Sequence, residues 1–585
     1  MITTTQLVLK YRIQTLFFAA VVGLLATGCS TYQQQNHVIQ LWHQNNLTNA
    51  VVEATKMADK NAKNKDAIIW RLEQGAVLRG AGKYQDSNVA FDKAQEKIDQ
   101  YAQKAKVRVG QEASALLSNQ ANLDYEGRSY DGIMLNTYKA LNYLQLGEPD
   151  KARVELIRAY QRQQDAVEEN KKRIEKVQAE AAKSKDKKTM DKAEQDPKFK
   201  AKMQGAYATL DTLKAYADYV NPFTVYLDGL FFMANAADAS DLERAHKSFE
   251  RVVGYNPDNP YVKQDLAAVD GVMQGKPLPP TTYVIFETGC APIRDQIRID
   301  IPTFIPKSPY AGAAFPTLKP QGNYLPGLTV TANSPLVTAD TVTTAGSTTT
   351  TAGDTNATVT GATAVTGDTN ITATSTTATT SDTNTTVSST TTITGDTNAA
   401  VTSTTTTTSD TNTTVTSTIA TTGNTNSTAA STTTTTSSTT TTASSTTATT
   451  SPIASLDSVI GLDFKNELPV VITKTIASTI TKAVAAYAIN EAASQQNAYV
   501  QLFALVGTVI YQVAVNIADT RTWTTLPKEF QVCRFSTPPD RKIVLETPNG
   551  TQKIPVTIED GTINIVYVKS ITATNTLLVT QIKLK

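Results

Sequence analysis

The chain has 585 residues with 54 Lys+Arg against 53 Asp+Glu, which is longer than one hydrophobic core usually organises and too evenly charged to present a basic field to nucleic acid. Its three cysteines (Cys29, Cys290, Cys533) and three histidines (His37, His43, His246) lack ligand spacing, so no zinc site is expected. No nucleophile elbow, metal-spaced histidine pair or Gly-rich phosphate loop occurs, and no catalytic, cofactor-binding or metal residues are expected.

Lys10 and Arg12 precede an apolar run from Ile13 to Leu25, and the small residues Ala26, Thr27 and Gly28 lead into Cys29. A basic flank, a short apolar stretch and small residues make an export signal over 1–28. Leu25 to Cys29 resembles the lipobox of bacterial lipoproteins, which implies a diacylglycerol thioether on Cys29, cleavage after Gly28 and a firm anchor of several acyl chains. Ser30 after the cysteine implies, by the same resemblance, the outer membrane.

From there to residue 275 the composition turns to Ala, Gln, Lys, Glu and Leu with apolar positions at helical spacing, which predicts an all-α domain over 29–275. Gly75, Leu78, Gly82, Tyr84, Ser87, Phe91 and Ala94 fall where a tetratricopeptide unit places small, turn and aromatic residues. Ala140, Tyr143, Gly147, Ala152, Leu156 and Ala159 repeat the pattern, and Gly229, Phe232, Ala245, Phe249 and Val252 form a third copy with a longer turn. Residues around Tyr226, Gly229, Phe231 and Phe232 are expected to line a partner-binding groove or the junction with the next domain. The dense mixed charge of 160–215 predicts a long solvated helical hairpin broken at Asp196-Pro197.

Thr281 to Gly289 and the alternation of Ile297, Ile299 and Ile301 predict strands over 276–327. Thr and Ser then dominate 328–451, where Gly353-Asp354-Thr355-Asn356 and its variants recur every fourteen residues. With no large apolar side chain repeating in that period, burial cannot offset chain entropy, and the insertion is expected to be disordered. A slippage-expanded tolerated segment, an O-glycosylated stalk and a weak calcium-binding β-roll are the readings open to it.

The second part of the β-rich domain, 452–585, should carry helices at 459–490 and 498–518. Strands follow at Lys528 to Phe535, Arg541 to Thr547, Gln552 to Ile558, Thr562 to Lys569 and Thr576 to Lys583. Turn signals at Asn549-Gly550, Asp560-Gly561 and Thr574-Asn575 suggest an antiparallel meander. The uncharged run from Ala492 to Ala518 reads as a packed helix rather than a membrane span, because Gln501, Gln512 and Asn516 recur in it. Cys290 and Cys533 both fall on expected strands and are a candidate disulfide, with two buried free thiols as the alternative. The expected fold class is multidomain α+β: tetratricopeptide-like helices, then a β-rich domain split by the disordered insertion.

Several stretches carry a resemblance to a largely uncharacterised family of bacterial envelope lipoproteins with tetratricopeptide-like helices: Tyr226 to Ala234, Asp241 to Ala245, Asn256 to Val262, Ala518 to Trp523 with Thr525 to Pro527, and Ile565 to Ser570. The likeness spans both domains and omits the Thr-rich segment. It implies an envelope scaffold without cofactors or catalytic residues. The function expected is therefore a non-enzymatic lipoprotein on the periplasmic face of the outer membrane, binding another envelope protein and no nucleic acid. A surface-displayed adhesin is the alternative, and a cell-wall enzyme comes third. Asp519-Thr520-Arg521 beside Trp523 is the one compact polar cluster in the β region, read as a structural ion pair.

Overall fold

The computed structural model describes residues 30–107, 121–305 except 122, 215 and 218, 308–332, seven strands between 349 and 435, 446–494 and 517–585. Cys29 and the expected signal segment lie outside these residues. So do the Asp-Thr-Asn phrases of the repeat and nearly all of the expected helix 498–518. The chain divides into two compact units, Met1–Thr338 with Ser445–Lys585 and Ala339–Ser444.

The first unit opens with α1 (Ser30–His43), α2 (Leu47–Lys60), α3 (Ala67–Gly80), α4 (Tyr84–Val107), α5 (Ser129–Gln145) and α6 (Pro149–Ala182). Next come α7 (Lys187–Gln195), α8 (Pro197–Tyr207), α9 (Pro222–Ala234), α10 (Ala239–Tyr255) and α11 (Pro260–Met273). Proline at the first position of α6, α8, α9 and α11 supplies the helical φ and lacks only a donor that would have no partner there. Asn221 and Asn259 cap α9 and α11 by accepting from the amides that follow.

The helices pair as the repeat pattern requires. A Cβ on Gly75 would meet the Phe91 ring at 2.4 Å, so only glycine lets α3 and α4 cross so closely. Gly229 against Phe249 repeats the device between α9 and α10, at 2.9 Å. Gly82 and Gly147 turn the chain at φ +73 and +71. Asn45, at φ +56, makes the same turn between α1 and α2, because asparagine tolerates the left-handed region better than other side chains. That first pair was not expected: its turn carries no glycine. Its buried Ala50 stands five residues after Asn45, as Ser87 follows Gly82 and Ala152 follows Gly147.

Strands β1 (Thr281–Thr288), β2 (Ile293–Ile305), β3 (Ser308–Lys319) and β4 (Thr329–Ala332) follow the helices. After the insertion come β12 (Thr446–Thr449), β13 (Ser451–Ser455), the helix α12 (Leu456–Ser494), β14 (Glu529–Ser536), β15 (Lys542–Glu546), β16 (Lys553–Thr557), β17 (Ile563–Ser570) and β18 (Leu578–Lys583). The five expected C-terminal strands all form, yet they do not make a meander. The main sheet has the order β13-β14-β1-β17-β18, with β17 parallel to β1 from Thr281 opposite Ile563 to Thr288 opposite Ser570. Both strands are buried at every residue, the setting in which parallel pairing occurs. Asn549-Gly550 and Thr574-Asn575 turn the hairpins β15–β16 and β17–β18, whereas the chain at Asp560-Gly561 crosses between sheets.

Three further corrections follow from packing. The expected insertion boundary at 328 and 451 lies too far out: Val330 and Ala332 are buried, and β4 and β12 pair with Ala332 opposite Thr446 in a second sheet, β12-β4-β15-β16. The helical and β regions, expected as separate domains, share one hydrophobic core running from Val38 to Leu584. Finally, the charged hairpin is not solvated throughout. Met190, Ala193, Phe199 and Met203 bury one face against Ile299, Ile301 and Phe315 of the β2–β3 hairpin and Ile476 and Ile480 of α12. Ile476, Ala477 and Ile480 thus put one face of α12 into this second core.

The second unit, expected to be disordered, is described as parallel strands. β6 (Ala357–Thr366), β8 (Thr385–Thr394) and β10 (Thr413–Thr422) form one sheet. β5 (Thr349–Ala352), β7 (Ile371–Thr380), β9 (Ala399–Thr408) and β11 (Ser427–Thr435) form the other. Successive fourteen-residue copies alternate between sheets, and each strand pairs with the one two copies earlier, as Thr413 opposite Thr385 and Thr385 opposite Ala357.

Candidate functional site

In a row of helix pairs the first helix of each pair lines the inner face, the natural place to receive a partner. Here that face is filled from within the chain. Every residue of α9 and all of α3 except Gly80 are buried, as is α5 from Tyr130 to Asn142. The covering material is the main sheet and the segment leading into β14. Phe530 of β14 stacks on Phe223 of α9 with ring centroids 3.7 Å apart. Trp523 stands edge-on to Phe91 and Tyr138 at 5.8 and 5.9 Å. Gln145 donates to the carbonyl of Gln581 on β18.

The residues expected to line a partner groove belong to this filled face. Tyr226, Phe231 and Phe232 are at most 1 % exposed, and Gly229 is the crossing point against Phe249. Tyr226 and Tyr283 each donate to Asp265, at 2.8 and 2.7 Å, and Arg534 closes the cluster at 2.9 Å. Of the two expectations for these residues, groove and junction, the geometry matches the junction. Phe232 instead lies under the guanidinium groups of Arg244 and Arg153, 4.2 and 4.8 Å from its ring centre.

Three buried acids fasten the helices to one another and to the β region, and none stands out in the sequence. Glu287 of β1 accepts from Tyr138, Tyr567 and Lys569, with Arg79 of α3 at 3.8 Å. Burial opposes its ionisation, but Lys569 and Arg79 hold it below the ordinary carboxylate range. Glu73 of α3 accepts from the Thr524 amide and from the hydroxyls of Thr524 and Thr525, and burial raises its pKa. Glu467 of α12 gathers Arg128 and Arg294 at 2.7 Å and Arg173 at 3.2 Å. Burial again opposes the charge, and the three guanidinium groups win: Glu467 lies well below the usual range.

One turn before it, Asp463 is buried beside that carboxylate, and its pKa is pushed up to about 7 by burial and then by Glu467. The Asp519–Arg521 pair read from the sequence forms at 2.8 Å, and Arg521 also reaches Asp66 at 3.0 Å. Its role is wider than a local turn, because it ties the segment before β14 to the start of α3.

Cys290 and Cys533 are both buried free thiols, which decides against the disulfide. Cys533 lies opposite Val284 in β1, so four strand residues, roughly 13 Å, separate that position from the end of β1 at Thr288, and Cys290 lies further on. Burial pushes both thiols up to about 12. Cys290 Sγ lies 3.4 Å from His43 Nε2, and burial lowers the pKa of that imidazole, so neither group is charged at neutral pH. Among the described residues no group of three metal-ligating side chains is placed to hold an ion, and no helix is long and apolar enough to cross a membrane.

No protein-family model and no curated protein matches the chain. A solved tetratricopeptide repeat protein from Parabacteroides merdae ATCC 43184 is similar over 43% of this chain and 75% of its own, at 14% identity and a TM-score of 0.19, too loose a superposition to transfer anything from it.

Proposed function

We propose that this chain is an envelope lipoprotein, anchored through Cys29 to the outer membrane on its periplasmic face, that acts as a non-enzymatic protein-interaction scaffold. The observation that carries the scaffold reading is the division of labour among the helices. The inner helices are consumed by the chain's own sheet, which makes a rigid body, while the second helices of the pairs turn outward. Val52, Val89 and Val154 occupy the same repeat position in α2, α4 and α6, two residues after the buried Ala50, Ser87 and Ala152, and are 62%, 53% and 46% exposed. β-branched residues gain nothing from an exposed helix position, so a repeated exposed valine supports a partner on the outer face rather than in a groove. The clustered acids and bases are buried among one another, which favours support over catalysis.

Photo-crosslinking groups placed at Val89 and Val154 in living cells should trap one shared envelope partner. The same group at Tyr226 should trap none. No partner above background at either valine would defeat the scaffold reading. The anchor is tested separately: Cys29→Ser should enlarge the mature protein by its retained signal segment and change its membrane fractionation.

A further inference from the structure

The Thr-rich unit carries an interaction surface of its own, beyond the scaffold reading. In the sheet β10-β8-β6 the outer edges of β6 and β10 have no strand partner among the described residues, and β5 and β11 stand likewise at the ends of the other sheet. Such edges are rows of unsatisfied amide and carbonyl groups, normally guarded by lysine, proline, a bulge or a covering element. The main sheet shows such guarding: the outer strand β13 has its carbonyls at Ile453 and Pro452 taken by the side-chain amides of Asn256 and Asn259. In the Thr-rich unit two of these guards, lysine and proline, are absent from the sequence. Lys and Arg do not occur between Lys319 and Lys465, and proline does not occur between Pro335 and Pro452.

The edges also fit each other. Because every strand pairs in parallel with the one two copies earlier, the register that joins β8 to β6 is the register that joins β10 to β8: Val359, Val387 and Val415 share one position, and Thr360, Ser388 and Thr416 another. A further strand of the same sequence added beyond β10 meets the pairing surface that β8 offers to β10. We propose that the edge of β10 accepts β6 of a second copy of this chain, head to tail and in the same register. The contact continues the parallel stack at about 4.8 Å per strand. Since its two surfaces are different and no rotation closes them, it builds open chains of molecules rather than a fixed dimer.

Sedimentation of the full-length chain in detergent over a range of concentrations tests this. The weight-average mass should rise with concentration, and replacing 333–445 by Asn-Gly should abolish the rise. Thr360→Lys combined with Thr416→Lys sets like charges directly across the contact and should also abolish it. Thr360→Glu combined with Thr416→Lys should restore it. A full-length chain that stays monomeric, a rise that survives the excision or the paired lysines, or a charge swap that fails to restore it would each overturn the proposal.

Discussion

The two units reach regular structure by opposite routes. In the first, each contact is made once: Phe223 on Phe530, Glu287 among Tyr138, Tyr567 and Lys569, Glu73 beneath Thr524. In the second, one contact is made repeatedly, as the ten-residue register of β8 on β6 recurs in β10 on β8. Unique contacts specify a single arrangement and are sensitive to single substitutions. Repeated ones spread the stabilisation, tolerate change, and leave surfaces at both ends that match each other. The contrast explains why charged side chains crowd the core of one unit and Lys and Arg are missing from the other.

The largest effect that could break this comparison comes from Glu467. Glu467→Ala removes the carboxylate paired with the buried Arg294, leaves Arg128 only Asp519 at 3.7 Å, and should cost about 3–5 kcal/mol in urea unfolding. A loss no larger than that of a surface substitution would show that the unique contacts do not govern the first unit.

Next comes a pH effect. Asp463 titrates at about 7 in the folded chain and near 3.9 when unfolded. A folded pKa above the unfolded one means that the stabilisation is complete below the unfolded value and is lost as pH rises through the folded value. The protein should therefore lose on the order of 3 kcal/mol between pH 4 and pH 8 from this group. Asp463→Asn should flatten that part of the profile in unfolding curves taken at successive pH values, and an unchanged slope would remove Asp463 from the account.

The smallest effect concerns the insertion. Ala332 and Thr446 are cross-strand neighbours, so an Asn-Gly turn can replace 333–445 as a hairpin. The first unit should keep its stability within about 1 kcal/mol, because a folded unit whose ends are held together adds little closure entropy. A clear gain on excision would instead mark the segment as a long coil.

Much of this architecture was legible from local pattern. The glycine, turn and aromatic spacing around Gly75, Gly82 and Phe91 gave the helix pairs, since close crossing demands a residue without a side chain at one point and a ring at another. Asp196-Pro197 marked a helix boundary, and the Asn-Gly turn marked the β15–β16 hairpin. The α1–α2 pair was hidden only because Asn45 does the work of a glycine. β4 and β12 were hidden because Thr329–Ala332 and Thr446–Thr449 share the composition of the insertion they flank.

What the sequence could not decide was which surfaces meet. Residues 71 and 79 of α3, or 287 of β1, look like ordinary charged positions until Arg71, Arg79 and Glu287 are seen in place. The parallel pairing of β17 with β1 joins residues more than 280 positions apart. Helix periodicity and turn chemistry are properties of neighbours along the chain, so composition and spacing determine them. The filling of the inner face, the free state of Cys290 and Cys533 and the sheet order depend on distant segments competing for the same apolar surface, and only the tertiary structure records which of them won.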